Sequence, residues 1–104
     1  MGRKEDLNIV KEFKNKMSKK ILVKKIILFG SRASGKTNEW SDYDIIIVSD
    51  EFKGVRSFKR VPKMYDFWDY DYPVDFLCYT LEEFNRMKKR ATIVRNAVEE
   101  GIEI

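Results

Sequence analysis

Two aspartates two positions apart, Asp42 and Asp44 in the stretch SDYD, lead into an apolar run. A third, Asp75, stands near the head of another run, VDFLCY. On an extended chain, residues i and i+2 project from one face. The first pair can therefore share a cation, and Asp75 completes the cluster if its strand lies beside theirs. Carboxylates held this close repel unless a cation offsets them. An all-oxygen set suits Mg²⁺, which also takes oxygens from substrate phosphates. Upstream, Gly30 and Ser31 close an earlier apolar run. Backbone amides and a hydroxyl at such a turn can receive a triphosphate, and a glycine lets the backbone come close. Arg32 and, further on, Lys36 can add positive charge beside the phosphates, with an ordinary solvated role as the alternative.

The same turn carries a competing pattern. GSRASGKT, from Gly30 to Thr37, matches the phosphate loop G-x-x-x-x-G-K-[ST] letter for letter and follows the apolar run KKIILF. That loop works only when a helix of about ten or more residues opens at the Lys-Thr pair and leads to a parallel strand. Here NEWSDYD follows and then a strand, so only a turn or two of helix fits, and the match is read as accidental.

The elements that must position these residues follow from periodicity. Leu7, Val10, Phe13 and Met17 recur at helical spacing and predict an amphipathic helix over roughly residues 5 to 20. VKKIILF predicts a first strand ending at Gly30, and YDIIIVS a second, apolar on both faces and so central. Phe58, Val61, Tyr65 and Trp68 predict a helix with an aromatic core face, with Pro62 as a kink or early turn. PVDFLCY predicts a third strand. Thr80 and Glu83 then form a capping box that starts a helix through about Arg90. Ile93, Val94, Ala97 and Val98 mark a last helix stopped by Gly101, and IEI a fourth strand. The order describes a small α+β domain on a three- or four-stranded sheet, one domain over residues 1–104.

Composition narrows the chemistry. The chain has no His and one Cys among its 104 residues, which excludes the usual zinc sites and every His-dependent triad. Carboxylates, hydroxyls, Lys, Arg or an oxygen-bound metal must do the work. Cys78, in the apolar setting DFLCYT, reads as a small core residue. With no apolar run of membrane-spanning length and a highly charged N-terminus, the expectation is a cytoplasmic protein without a membrane partner. The net charge of +4 favours anionic partners without choosing among them. No recognition motif supports nucleic acid as a direct partner.

Taken together, GSRASGKTNEWSDYDIII and VDFLCYTLEEF resemble the nucleotidyltransferase superfamily of DNA polymerase beta. The likeness is specifically to its minimal MNT domains, encoded beside HEPN-domain proteins, and it extends over nearly the whole chain. The pattern is Gly-Ser, a short linker, Ser-Asp-x-Asp, then a distant Asp, and every element is present. The resemblance implies the small polymerase-beta-like fold, with a mixed sheet packed with helices. It implies transfer of AMP from ATP to a hydroxyl acceptor with two Mg²⁺ ions, or Mn²⁺. Asp42 and Asp44 would bind both ions, Asp75 the catalytic one, and Gly30, Ser31 and Arg32 the nucleotide. It further implies a HEPN ribonuclease toxin as hetero-oligomeric partner, silenced by AMP attached to a side chain such as Tyr. A non-catalytic binding antitoxin and a small-molecule nucleotidyltransferase of the antibiotic-modifying type are the alternatives.

Overall fold

The computed structural model describes residues 3–35, 41–90 and 92–104. Helix α1 (Arg3–Ser18) leads into strand β1 (Lys25–Phe29) and the single-turn helix α2 (Ser31–Ser34). Strand β2 (Tyr43–Val48) is followed by a 3₁₀ turn (Asp50–Phe52) and helix α3 (Ser57–Tyr65). Strand β3 (Val74–Tyr79), helices α4 (Leu81–Met87) and α5 (Ile93–Glu100) and the short strand β4 (Ile102–Glu103) complete the chain.

The four strands form one mixed sheet in the order β3-β2-β1-β4. β1 runs antiparallel to both β2 and β4, while β2 and β3 run parallel. A parallel pair needs a crossover, which the 3₁₀ turn, α3 and the aromatic segment after it supply. The antiparallel return from β1 to β2 and the four-residue α2 are incompatible with a phosphate-loop core, which needs a long helix and a parallel strand. Lys36 and Thr37 lie outside the described residues.

Strand alternation sorts the core into two layers. Ile26, Leu28, Tyr43, Ile45, Ile47, Val74, Phe76 and Cys78 face α1 and α3. Ile27, Phe29, Ile46 and Val48 face α4 and α5. β2 is thus apolar on both faces and central, as its composition predicts. Asp44 and Asp75 fall in the second phase of the alternation, on the α4–α5 side. Cys78 is buried, and desolvation pushes its thiol up to about 12, in keeping with a packing role.

The capping box on α4 forms as read: Thr80 Oγ1 accepts from the Glu83 amide at 3.2 Å, and Glu83 Oε1 accepts from the Thr80 amide at 2.8 Å. Buried Arg60 of α3 also donates to Glu83, at 2.6 and 3.3 Å, which holds that carboxyl below its usual range. Two expectations need correction. On α3 the buried residues are Arg60 and Met64, with Trp68 beyond the helix end; Val61 packs against the core and Tyr65 lays its ring edge-on to Phe76, but Phe58 is largely exposed. Apolar spacing alone misplaced Phe58 and missed Arg60, which turns inward to bond the Val55 and Cys78 carbonyls. α4 also stops at Met87 rather than near Arg90. Gly101 does cap α5, but with φ −83 its glycine is required by proximity, not by left-handed backbone. A Cβ there would run into the Ala97 carbonyl and lie 2.8 Å from that of Leu28, blocking β4 from joining β1.

Candidate active site

The register of the sheet gathers the carboxylates. Asp44 pairs directly with Asp75 across the parallel β2–β3 ladder, and Phe29 pairs with Asp44 across β1–β2. Parallel neighbours in register present their side chains on one face, so the two acids stand side by side. Asp42, two residues before Asp44, lies just outside β2 and is exposed, as is Asp75, whereas Asp44 is half-buried. Burial, then Asp75, then Asp42 raise the Asp44 carboxyl above its ordinary range. Asp44 therefore feels both neighbouring carboxylates. Among the described residues, no three acidic or thiol side chains stand close enough to enclose a metal ion by themselves.

Gly30 closes this arrangement from the other side. Its backbone, at φ 75 and ψ −155, lies in a region that side chains avoid, and a Cβ placed on it would collide with the Asp44 carboxylate. The Gly-Ser turn and the acid on β2 are thus in contact, and only the missing side chain lets them meet. The Gly30 carbonyl accepts from the Ala33 and Ser34 amides, both at 3.1 Å, which winds the single turn of α2.

Arg32 departs from the expectation. Its side chain is fully buried and cannot reach a nucleotide in solution. Its Nη1 donates to Asp6 at 3.0 Å, and its Nε and Nη2 donate to the Ser41 carbonyl at 3.1 and 2.9 Å. The guanidinium carbon lies 4.4 Å from the Tyr43 ring centre and 5.0 Å from that of Tyr72. Tyr43 also donates to Asp6, at 2.7 Å, and this bond together with burial raises its hydroxyl pKa. Arg32 therefore ties α1 to both ends of the loop that carries the site, with the Ser41 carbonyl immediately before Asp42. A guanidinium reaches one oxygen of a buried carboxylate and a carbonyl in one fork, which a lysine could not. Asp6 was missed in the sequence, although it falls on the stripe Asp6, Val10, Phe13 and Met17. An acid on the buried face of a helix is the signal that could have found it.

Beside Asp44 and Gly30 opens a cleft of about 440 Å³, whose opposite wall is α5, with Ile93, Asn96, Ala97 and Glu100. Helical periodicity assigned Ile93 to the core, yet it is 54% exposed and lies in this wall.

The profile of the "Nucleotidyltransferase domain" family matches residues 10–104. The chain belongs to that family. A similar protein is found in Methanocaldococcus jannaschii under the name "putative protein adenylyltransferase". It is 35% identical over 108 residues, covering 88% of this nucleotidyltransferase and 90% of the relative. The crystal structure of a "putative nucleotidyltransferase" from Sulfolobus solfataricus superposes with a TM-score of 0.66 at 26% identity, covering 81% of this chain and 75% of that one. The nucleotidyltransferase is thus a small α+β enzyme with a four-stranded mixed sheet, as its sequence implies. Among the described residues no helix is long and apolar enough to cross a membrane.

Proposed function

We propose that the chain transfers AMP from ATP to a hydroxyl side chain of a partner protein, using Asp42, Asp44 and Asp75. The observation that carries this is the in-register pairing of Asp44 with Asp75, with Gly30 pressed against Asp44. The family supports nucleotidyl transfer, and the name of the archaeal relative supports a protein acceptor.

The donor set fits a hard divalent cation, Mg²⁺ or Mn²⁺: the ligands are all carboxylate oxygens, and the glycine cradle leaves one side of Asp44 free of carbon. Asp42 and Asp44 would hold two ions and Asp75 one of them, with triphosphate oxygens completing coordination. Such ions neutralise charge on the reacting phosphate and lower the barrier by several kcal/mol. The chain's own residues do the rest. The turn at Gly30 and Ser31 orients the triphosphate, and the exposed Asp75 faces the acceptor and takes its proton. The acceptor oxygen bonds to the α-phosphorus, the bond to the bridging oxygen of the β-phosphate breaks, and pyrophosphate leaves.

The partner most in keeping with the minimal form of the domain is a HEPN ribonuclease toxin, modified on a Tyr, which makes this chain its antitoxin. Intact-mass spectrometry of a co-expressed HEPN partner tests it. Wild type with ATP and Mg²⁺ should add one or more AMP masses, and Asp44→Asn should bind the partner and add none. A partner left unmodified yet silenced equally by both proteins would leave a binding antitoxin instead.

A further inference from the structure

The cleft beside Asp44 is built on one helix face. Ile93, Asn96, Ala97 and Glu100 are spaced i, i+3, i+4 and i+7 on α5 and line one wall, while Gly30 and Asp44 stand at its inner end. This face is unlike the rest of the helix. On its outer side Arg95 donates to Glu99 at 3.2 Å. Among the described residues, no hydrogen bond or ion pair engages the Asn96 side-chain amide or the Glu100 carboxylate. Ile93 stays exposed at the mouth although the sheet core lies one residue away at Val94. An apolar platform flanked by two polar heads, opening from a phosphate-receiving turn, is complementary to a planar heterocycle with hydrogen-bonding edges.

We propose that this face of α5 is the nucleobase subsite, and that Asn96 and Glu100 select adenine over guanine. The proposal rests on the nucleotidyltransferase reading of the carboxylate site. An Asn amide accepts from an exocyclic amine and donates to the adjacent ring nitrogen of adenine, a bidentate match. A carboxylate only accepts, so Glu100 welcomes that amine and opposes the carbonyl that guanine presents at the same place. Ile93 and Ala97 take the face of the ring. The triphosphate is then held at the Gly30–Asp44 end, and the open side of Asp75 is left to the acceptor.

Calorimetric titration of the intact chain with ATP, GTP and inorganic triphosphate, each with Mg²⁺, tests the subsite. Wild type should prefer ATP to GTP. Asn96→Ala should lower that preference by about tenfold, and Glu100→Gln, which introduces a donor, should shift it toward GTP. Both variants should bind inorganic triphosphate as wild type does. Both positions are exposed, and circular dichroism should show native helix content. Equal binding of ATP and GTP by wild type, or an unchanged preference in both folded variants, overturns the subsite alone. Failure of wild type to bind ATP, GTP or triphosphate overturns it together with the nucleotidyltransferase reading on which it rests.

Discussion

Gly30→Ala separates a catalytic cradle from an ordinary turn. The backbone there, φ 75 and ψ −155, lies where only glycine is at ease, and an alanine costs about 1–3 kcal/mol from the backbone alone. In a domain of this size each kcal/mol lowers Tm by roughly 4–8 °C, so the expected fall is on the order of 10 °C. The new methyl also collides with the Asp44 carboxylate and must push it off the position it shares with Asp75. A displacement that removes about 1.4 kcal/mol of binding weakens Mg·ATP tenfold, and the loss should be at least that. Gly35→Ala is the control: at φ 81 and ψ 0 it bears a left-handed cost of about 1–2 kcal/mol, but nothing among the described residues lies within 4 Å of the added carbon. Scanning calorimetry and titration with Mg·ATP should show both variants less stable and only Gly30→Ala defective in binding. Wild-type affinity in Gly30→Ala, or an equal loss in Gly35→Ala, would refute the reasoning.

Other outcomes follow from the same contacts. Asp6→Asn leaves a buried guanidinium without its counter-charge and should destabilise the fold by about 3–5 kcal/mol in chemical denaturation. Asp44→Asn relieves repulsion between paired acids. Without metal its Tm should equal or exceed that of wild type, whereas added Mg²⁺ or Mn²⁺ should raise Tm only in wild type. Glu83→Gln removes the charged acceptor of Arg60 and should cost about 1–2 kcal/mol at neutral pH. Because the folded protein holds Glu83 below its ordinary 4.5, this contribution is present above that pH and fades as pH falls through the folded value. Denaturation curves of the two proteins should therefore converge on acidification.

The strands, the capping box and the phase of the first two acids were legible because each rests on local rules. Alternation puts Asp42 and Asp44 in phase, and the apolar residues on both faces of β2 place it inside the sheet, whereas the pairing that brings Asp75 beside Asp44 joins distant segments and stood in the sequence only as a condition. What was not legible depended on polar side chains that turn inward. Arg32 reads as solvated or phosphate-binding until Asp6, Ser41 and Tyr43 are seen to enclose it, and these come from two distant segments, α1 and the entrance to β2. Arg60 likewise draws α3 inward and leaves Phe58 outside, against the hydrophobic pattern. Ile93 has the spacing of a core residue, and only the packing of α5 against the end of β1 shows that it borders a cleft.

The parallel pairing of β2 with β3 has a consequence for folding rates. It joins segments separated by the whole crossover, so the chain must close a long loop before the contacts repay the entropy lost. Asp44 and Asp75 meet only as that pairing zips, so their repulsion is absent from the unfolded chain. Where the pairing closes after the rate-limiting step, a divalent cation offsets a penalty that the transition state has not met. It should therefore leave the refolding rate nearly unchanged and slow unfolding, so that the ion makes the finished enzyme persist rather than helping it to form.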